Sequence, residues 1–155
     1  MELNDLKKLY SPLAAKYKLP TFSELNDNFE IDKIEKDTDH ILRLIRKVMM
    51  EKIVNSLSFL ELILNPANAP RMYLSYARSL TNEDRKNIDE IYSSLGSISL
   101  TSLDLEIDYS EKKEADMIKE IVASWNSTKP KFRKILDNMK KPNNPLVKKE
   151  KSYFG

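Results

Sequence analysis

The chain contains no cysteine. That excludes disulfides, thiol nucleophiles and cysteine-ligated zinc or iron–sulfur sites, and it suits a reducing compartment. Glycine is nearly as scarce. Gly96 and Gly155 are the only two, where ordinary usage of about 7% would give roughly eleven. Glycine lets a backbone turn sharply and approach phosphates closely. Its scarcity rules out the Gly-x-Gly-x-x-Gly and Walker loops and the Gly-x-Ser-x-Gly nucleophile elbow. It also argues against an all-β domain built on tight hairpins. His40 is the single histidine, so no site needing two is available, including His-Glu-x-x-His zinc helices and paired Glu-x-x-His di-iron sites.

Long hydrophobic runs are missing too. The most apolar stretch, Leu57 to Leu64, is interrupted by Ser58 and Glu61 and falls far short of the ~20 residues that span a bilayer. The start, Met1 to Lys8, is acidic early and lacks the apolar core of a signal peptide. These features predict a soluble cytoplasmic protein with no membrane partner. No motif calls for a cofactor or a metal.

What is present is apolar spacing of three and four, the mark of amphipathic helices. At 155 residues the chain fits one domain and needs no staple. Leu3, Leu6, Tyr10, Leu13 and Tyr17 form a first stripe, which Ser11-Pro12 divides into two short helices or one kinked helix. Thr21 and Glu24 make a capping box for a short helix ending near Asn28. The main element runs from about Ile34 to Leu64. Its first half is amphipathic, with Arg43, Arg46 and Lys47 on the polar side; its second half is apolar nearly all round, as a buried central helix would be. Asn65-Pro66 stops it.

A short helix carrying Tyr73, Tyr76, Ala77 and Leu80 follows the loop from Pro66 to Pro70. Thr81 caps another with the stripe Ile88, Ile91, Tyr92 and Leu95, and Gly96 is either its C-terminal cap or a weak point inside a longer helix. Residues 97–107 are ambiguous. Leu103, Leu105 and Ile107 alternate with Asp104, Glu106 and Asp108 as in a strand, while Leu100, Leu103 and Ile107 also fit a helix. A lone strand would leave its backbone groups orphaned, so a short helix plus an extended connector is expected. Asp108 with Glu111 forms a second capping box, opening a helix through Trp125. A break at Asn126-Ser127 and a cap at Thr128 set off the last helix, with Phe132, Ile135, Leu136 and Met139 as its stripe.

The expected fold is therefore all-α. Residues 1–141 form an irregular bundle of about five or six helices around one long central helix (34–64), and residues 142–155 form a flexible basic tail. The core is expected to hold Ile45, Met49, Ile53, Leu57, Leu60, Tyr92, Ile118, Val122, Trp125 and Ile135. A long helix carrying Arg46 and Lys52-Ile53, then a loop and a Thr81-initiated helix, resembles helical subunits of the GINS replication complex. Those features are generic to helical bundles, and the small β-domain of such subunits has no counterpart here. No residue role is carried over.

Charge is distributed unevenly. From Lys129 to Gly155 nine basic residues oppose two acidic ones, leaving +7, while the preceding 128 residues carry 17 basic and 22 acidic groups, leaving −5. The tail is the strongest functional candidate. Lys140, Lys141, Lys148, Lys149 and Lys151 can steer an encounter or neutralise phosphates, and Tyr153-Phe154 suits a linear motif that enters an apolar pocket. The bland alternative is that these aromatics fold back as a core anchor. Arg43, Arg46, Lys47, Lys131, Arg133 and Lys134 are candidate phosphate contacts, and Lys52, Arg71, Arg78 and Arg85 could extend such a patch. The competing reading is a solvated face paired with Asp and Glu.

Asp104, Glu106 and Asp108 would share one face of an extended segment and could hold Mg²⁺. Asp37, Asp39 and His40 are ordinary at the positive end of a helix, though they too could hold a metal. Three functions remain, in order. The first is a non-enzymatic interaction module of a protein or protein–nucleic acid assembly, docking partly through the tail. The second is direct nucleic-acid binding through the last helix and tail. The third is a Mg²⁺-dependent enzyme acting on phosphate esters.

Overall fold

The computed structural model describes residues 2–35 and 39–141. Six α-helices and no strand occur among them: α1 (Leu3–Tyr17), α2 (Phe22–Phe29), α3 (Ile41–Leu64), α4 (Arg71–Ala77), α5 (Asn82–Ile107) and α6 (Glu111–Met139). Two 3₁₀ turns, Ile31–Lys33 and Pro66–Asn68, flank α3. The three long helices pack on one another, and α1 and α2 lie against α3 and each other, with α1 also touching α6. No helix is long and apolar enough to cross a membrane among the described residues.

Most boundaries follow from local chemistry. Thr21 Oγ1 accepts the Glu24 N–H at 3.1 Å and starts α2. Thr81 starts α5 with a full capping box, Asp84 Oδ2 returning to the Thr81 N–H at 2.9 Å. With glycine so scarce, α1 and α2 end on Lys18 and Glu30 in the left-handed region, φ 54° and 55°. Each accepts a strain of about 1 kcal/mol that glycine would not.

Several expectations need correction. The central helix starts at Ile41 rather than Ile34, because Ile34 is used as a buried plug after the first 3₁₀ turn. Its second half is not apolar all round in its packing: Val54 and Leu64 are exposed. Of the two alternatives for the first stripe, the single helix is found, with Pro12 inside α1. Residues 97–107 are neither strand nor connector but the second half of α5, which passes through Gly96. α6 likewise runs unbroken through Asn126, Thr128 and Pro130. Its cap is Ser110, which accepts the Lys113 N–H at 3.3 Å, and Asp108 instead ends α5.

One physical cause covers both merged helices. In α5, Ile88, Ile91, Leu95, Ile98, Ser102 and Leu105 step by three and four without losing phase, and all are buried. In α6, Ile118, Ile121, Trp125, Thr128, Phe132, Ile135 and Met139 keep the same spacing, all buried but Phe132, which is half-buried against the core. Burying an unbroken stripe outweighs one glycine, about 1 kcal/mol, or one exposed proline, about 3 kcal/mol. Eight of the ten expected core residues are buried; Leu57 and Tyr92 are half-buried and packed against the core.

Candidate functional site

Two arrangements stand out, and each gathers several of the basic residues. The first is a buried ion cluster joining α3, α5 and α6. Arg46 is 1% exposed and Glu114 is 0% exposed. The guanidinium donates from Nε to Glu114 Oε2 at 2.5 Å, from Nη1 to Ser102 Oγ at 2.6 Å, and from Nη2 to Glu106 Oε1 at 2.6 Å. Arg43 and Lys47 reach the other oxygen of Glu106 at 3.1 and 3.3 Å. Glu106 is thus held ionised by three cations. Its carboxyl is pulled down to about 2, chiefly by the Arg46 hydrogen bond and against the cost of burial.

This cluster accounts for three of the candidate phosphate contacts, Arg43, Arg46 and Lys47. It also places the acidic triplet. On the helix Glu106 projects roughly 200° away from Asp104, and Asp108 lies just past the end of α5, so the single face expected of an extended segment is not formed. No group of three metal-ligating side chains occurs among the described residues. The His40 ring packs against that of Tyr109, with centroids 4.1 Å apart and planes tilted by 49°, and Asp37 lies outside the described residues.

The second arrangement is a groove between α2, α3 and α6. Phe29, Trp125, Phe59 and Phe132 line its main concavity of about 490 Å³. Phe29 and Trp125 have ring centroids 6.1 Å apart, Phe59 and Phe132 5.7 Å. An adjoining concavity of about 240 Å³ continues along α6, where Lys52, Lys129, Arg133 and Lys140 outnumber Asp137 around Trp125 and Phe132. Lys52 is the hinge between the two. Its ammonium donates to the Asn28 carbonyl and stands 5.4 Å from the Trp125 ring and 5.7 Å from that of Phe29. Burial lowers its pKa; Glu30 opposes this, while Lys129 and Lys33 reinforce it. The Trp125 indole N–H is buried with no hydrogen-bond partner.

Of the last-helix cations, Arg133 and Lys140 belong to this groove. Lys131 and Lys134 face the other way, to Glu90 and Glu83 on α5, each at 3.3 Å. Lys141 is exposed just beyond α6. Arg85 donates to the Ala77 carbonyl at 3.2 Å, and Arg71 and Arg78 are exposed on and just after α4. Lys148, Lys149, Lys151, Tyr153 and Phe154 lie outside the described residues. Sequence reading missed the groove because it treated Trp125 and the phenylalanines only as core. The usable signal was Trp125, Lys129, Phe132, Arg133, Leu136 and Lys140, which interleave aromatic and basic residues along one side of α6.

The fold and these two arrangements define an all-α bundle with a buried ion cluster and a cation-rimmed aromatic groove. The chain matches no family model, no curated protein and no solved structure.

Proposed function

We propose that the chain is a non-enzymatic interaction module that docks an acidic protein segment, anchored by an apolar or aromatic side chain, in the α2–α3–α6 groove. The observation that carries this reading is the crowding of Lys52, Lys129, Arg133 and Lys140 around an aromatic floor. Along α6 four cations face one carboxylate, whereas the main concavity adds Lys33 against Glu30 and Glu51; the cationic excess therefore lies at the α6 end, where an acidic partner relieves the repulsion while the floor supplies the apolar burial that anchors a docked segment. Lys140 lines the groove, and residues 142–155 follow it in the sequence after Lys141. Their lysines and Tyr153-Phe154 act as a second docking element on the partner. Folding back into the groove would place like charges together, which disfavours self-docking.

A single-stranded nucleic acid is the competing occupant, since it too joins negative charge to flat rings. Stacking of successive bases needs several exposed ring faces; Trp125 is 8% and Phe29 4% exposed, which leaves the half-buried Phe59 and Phe132, enough to seat one apolar anchor of a peptide and too few for a run of stacked bases. Trp125 is the only tryptophan, so its fluorescence reports on the groove alone. Titrating the full chain and a 1–141 truncation with a pool of acidic, phenylalanine-containing peptides should shift Trp125 emission, and Arg133→Glu should weaken the shift. If oligo-dT shifts the emission and the peptides do not, the groove is a nucleic-acid site. If neither does, the docking reading falls.

A further inference from the structure

The outward face of α5 carries an apolar stripe that nothing among the described residues covers. Leu100 is 69% exposed, Leu103 59% and Ile107 78%. With Gly96 they step by four, three and four, the spacing of a helix–helix seam. The buried stripe of the same helix, Leu95, Ile98, Ser102 and Leu105, lies opposite and already faces the core. Nothing among the described residues requires a glycine at position 96. A Cβ there would meet nothing within 4 Å, its φ is not positive, and glycine inside a helix costs about 1 kcal/mol relative to alanine.

We infer that this stripe is the self-association surface of the protein, pairing α5 with α5 of a second copy in antiparallel orientation. The order of residue sizes selects that occupant. Placed about a twofold axis between Thr101 and Ser102, Gly96 lies opposite Ile107 of the second copy, and Leu100 opposite Leu103. The smallest residue of the seam meets the most exposed one, and the leucines meet each other. A parallel pairing would stack Gly96 on its counterpart and leave a gap there, and it would crowd two copies of Ile107 at the other end. Charge permits the same arrangement. Ser97 and Asp104 border one side of the seam, Ser99 and Glu106 the other. In antiparallel pairing each acid lies beside a serine, while Glu106 remains neutralised by Arg43, Arg46 and Lys47.

The seam is about 17 Å long at 1.5 Å per residue. One helix face of that length buries less than the ~800 Å² per partner of a standard interface, so the dimer is weak and concentration-dependent. This association is independent of the groove, which lies on α2, α3 and α6.

Sedimentation of the full chain up to millimolar concentration should show a monomer–dimer equilibrium. Leu103→Glu, an exposed position that leaves the fold intact, removes two leucines per dimer and should weaken association by roughly 100-fold or more. Orientation is read by oxidation, which the absence of native cysteine makes clean. A mixture of Gly96→Cys and Ile107→Cys chains should give the mixed disulfide in preference to either like pair. A chain that stays monomeric, a dimer indifferent to Leu103→Glu, or like-with-like disulfides would each overturn the inference. The monomeric outcome would leave the stripe to a helix of another protein.

Discussion

At the scale of the residue, Arg46 matters most. A charged pair as buried as Arg46 and Glu114 survives only because each polar atom finds a partner, and removing one partner strands the other. Arg46→Met should therefore cost about 3–5 kcal/mol in urea unfolding. Adding Glu114→Leu should restore much of that loss, because the apolar pair no longer strands a charge; a double variant no more stable than the single one would show that the cluster contributes more than mutual compensation. Glu106 gives the same cluster a pH signature. Its folded-state pKa, about 2, lies below its ordinary value of 4.5. A depressed carboxylate contributes stability that is present above pH 4.5 and is lost as pH falls toward 2. Glu106→Gln should flatten the acid limb of the stability curve in that window. An unchanged acid limb would mean that the three cations do not hold Glu106 as the geometry implies.

At the scale of the element, α6 retains a proline that its packing overrides. Pro130 is exposed, removes the N–H that would bond to the Asn126 carbonyl and crowds that carbonyl. No buried contact is lost by replacing it. Pro130→Ala should raise stability by up to about 3 kcal/mol, read as a higher Tm in thermal unfolding, and a lower Tm would mean that the proline ring is needed for the packing of α6. Pro130 also shows why the element boundaries were only partly legible. Starts that depend on side-chain chemistry, at Thr21 and Thr81, and the stop at Asn65-Pro66 were readable. The break inferred from Asn126 to Thr128 was not, and Gly96 left open whether its helix stopped or ran on, because a local penalty of about 1–3 kcal/mol loses to a continuous buried stripe. The exposed Leu103 and Ile107 compounded the error, since they mimicked a strand while the burying residues were Ile98, Ser102 and Leu105. Arg46 was misplaced for a related reason: its charge placed it on the polar face of α3, and only tertiary pairing with Glu114, 68 positions away, explains its burial. The aromatic half of the groove hid in the same manner, because core and groove floor have the same composition.

At the scale of the whole molecule, stability should be graded outward from the α3–α5–α6 unit. Those helices bury long stripes and share the ion cluster, and Asn138 of α6 adds a 2.7 Å hydrogen bond to Asp84 at the start of α5. The α4 helix is built differently. It has seven residues, its one buried residue is Ser75, and Met72 and Leu74 are exposed. It leans on α3 beside the 3₁₀ turn at Pro66–Asn68. Opening it exposes little apolar surface, so its local unfolding free energy lies near the low end of the range that native proteins span. Hydrogen exchange should therefore label residues 66–79 first, while α3 from Ile45 to Leu60 and α6 from Ala115 to Trp125 exchange only on global unfolding. Equal protection of α4 and α3 would show that the molecule opens as a single unit. Early exchange of α4 alone would leave both the groove, on α2, α3 and α6, and the α5 seam on the rigid part of the bundle, where a docking surface loses least entropy on binding.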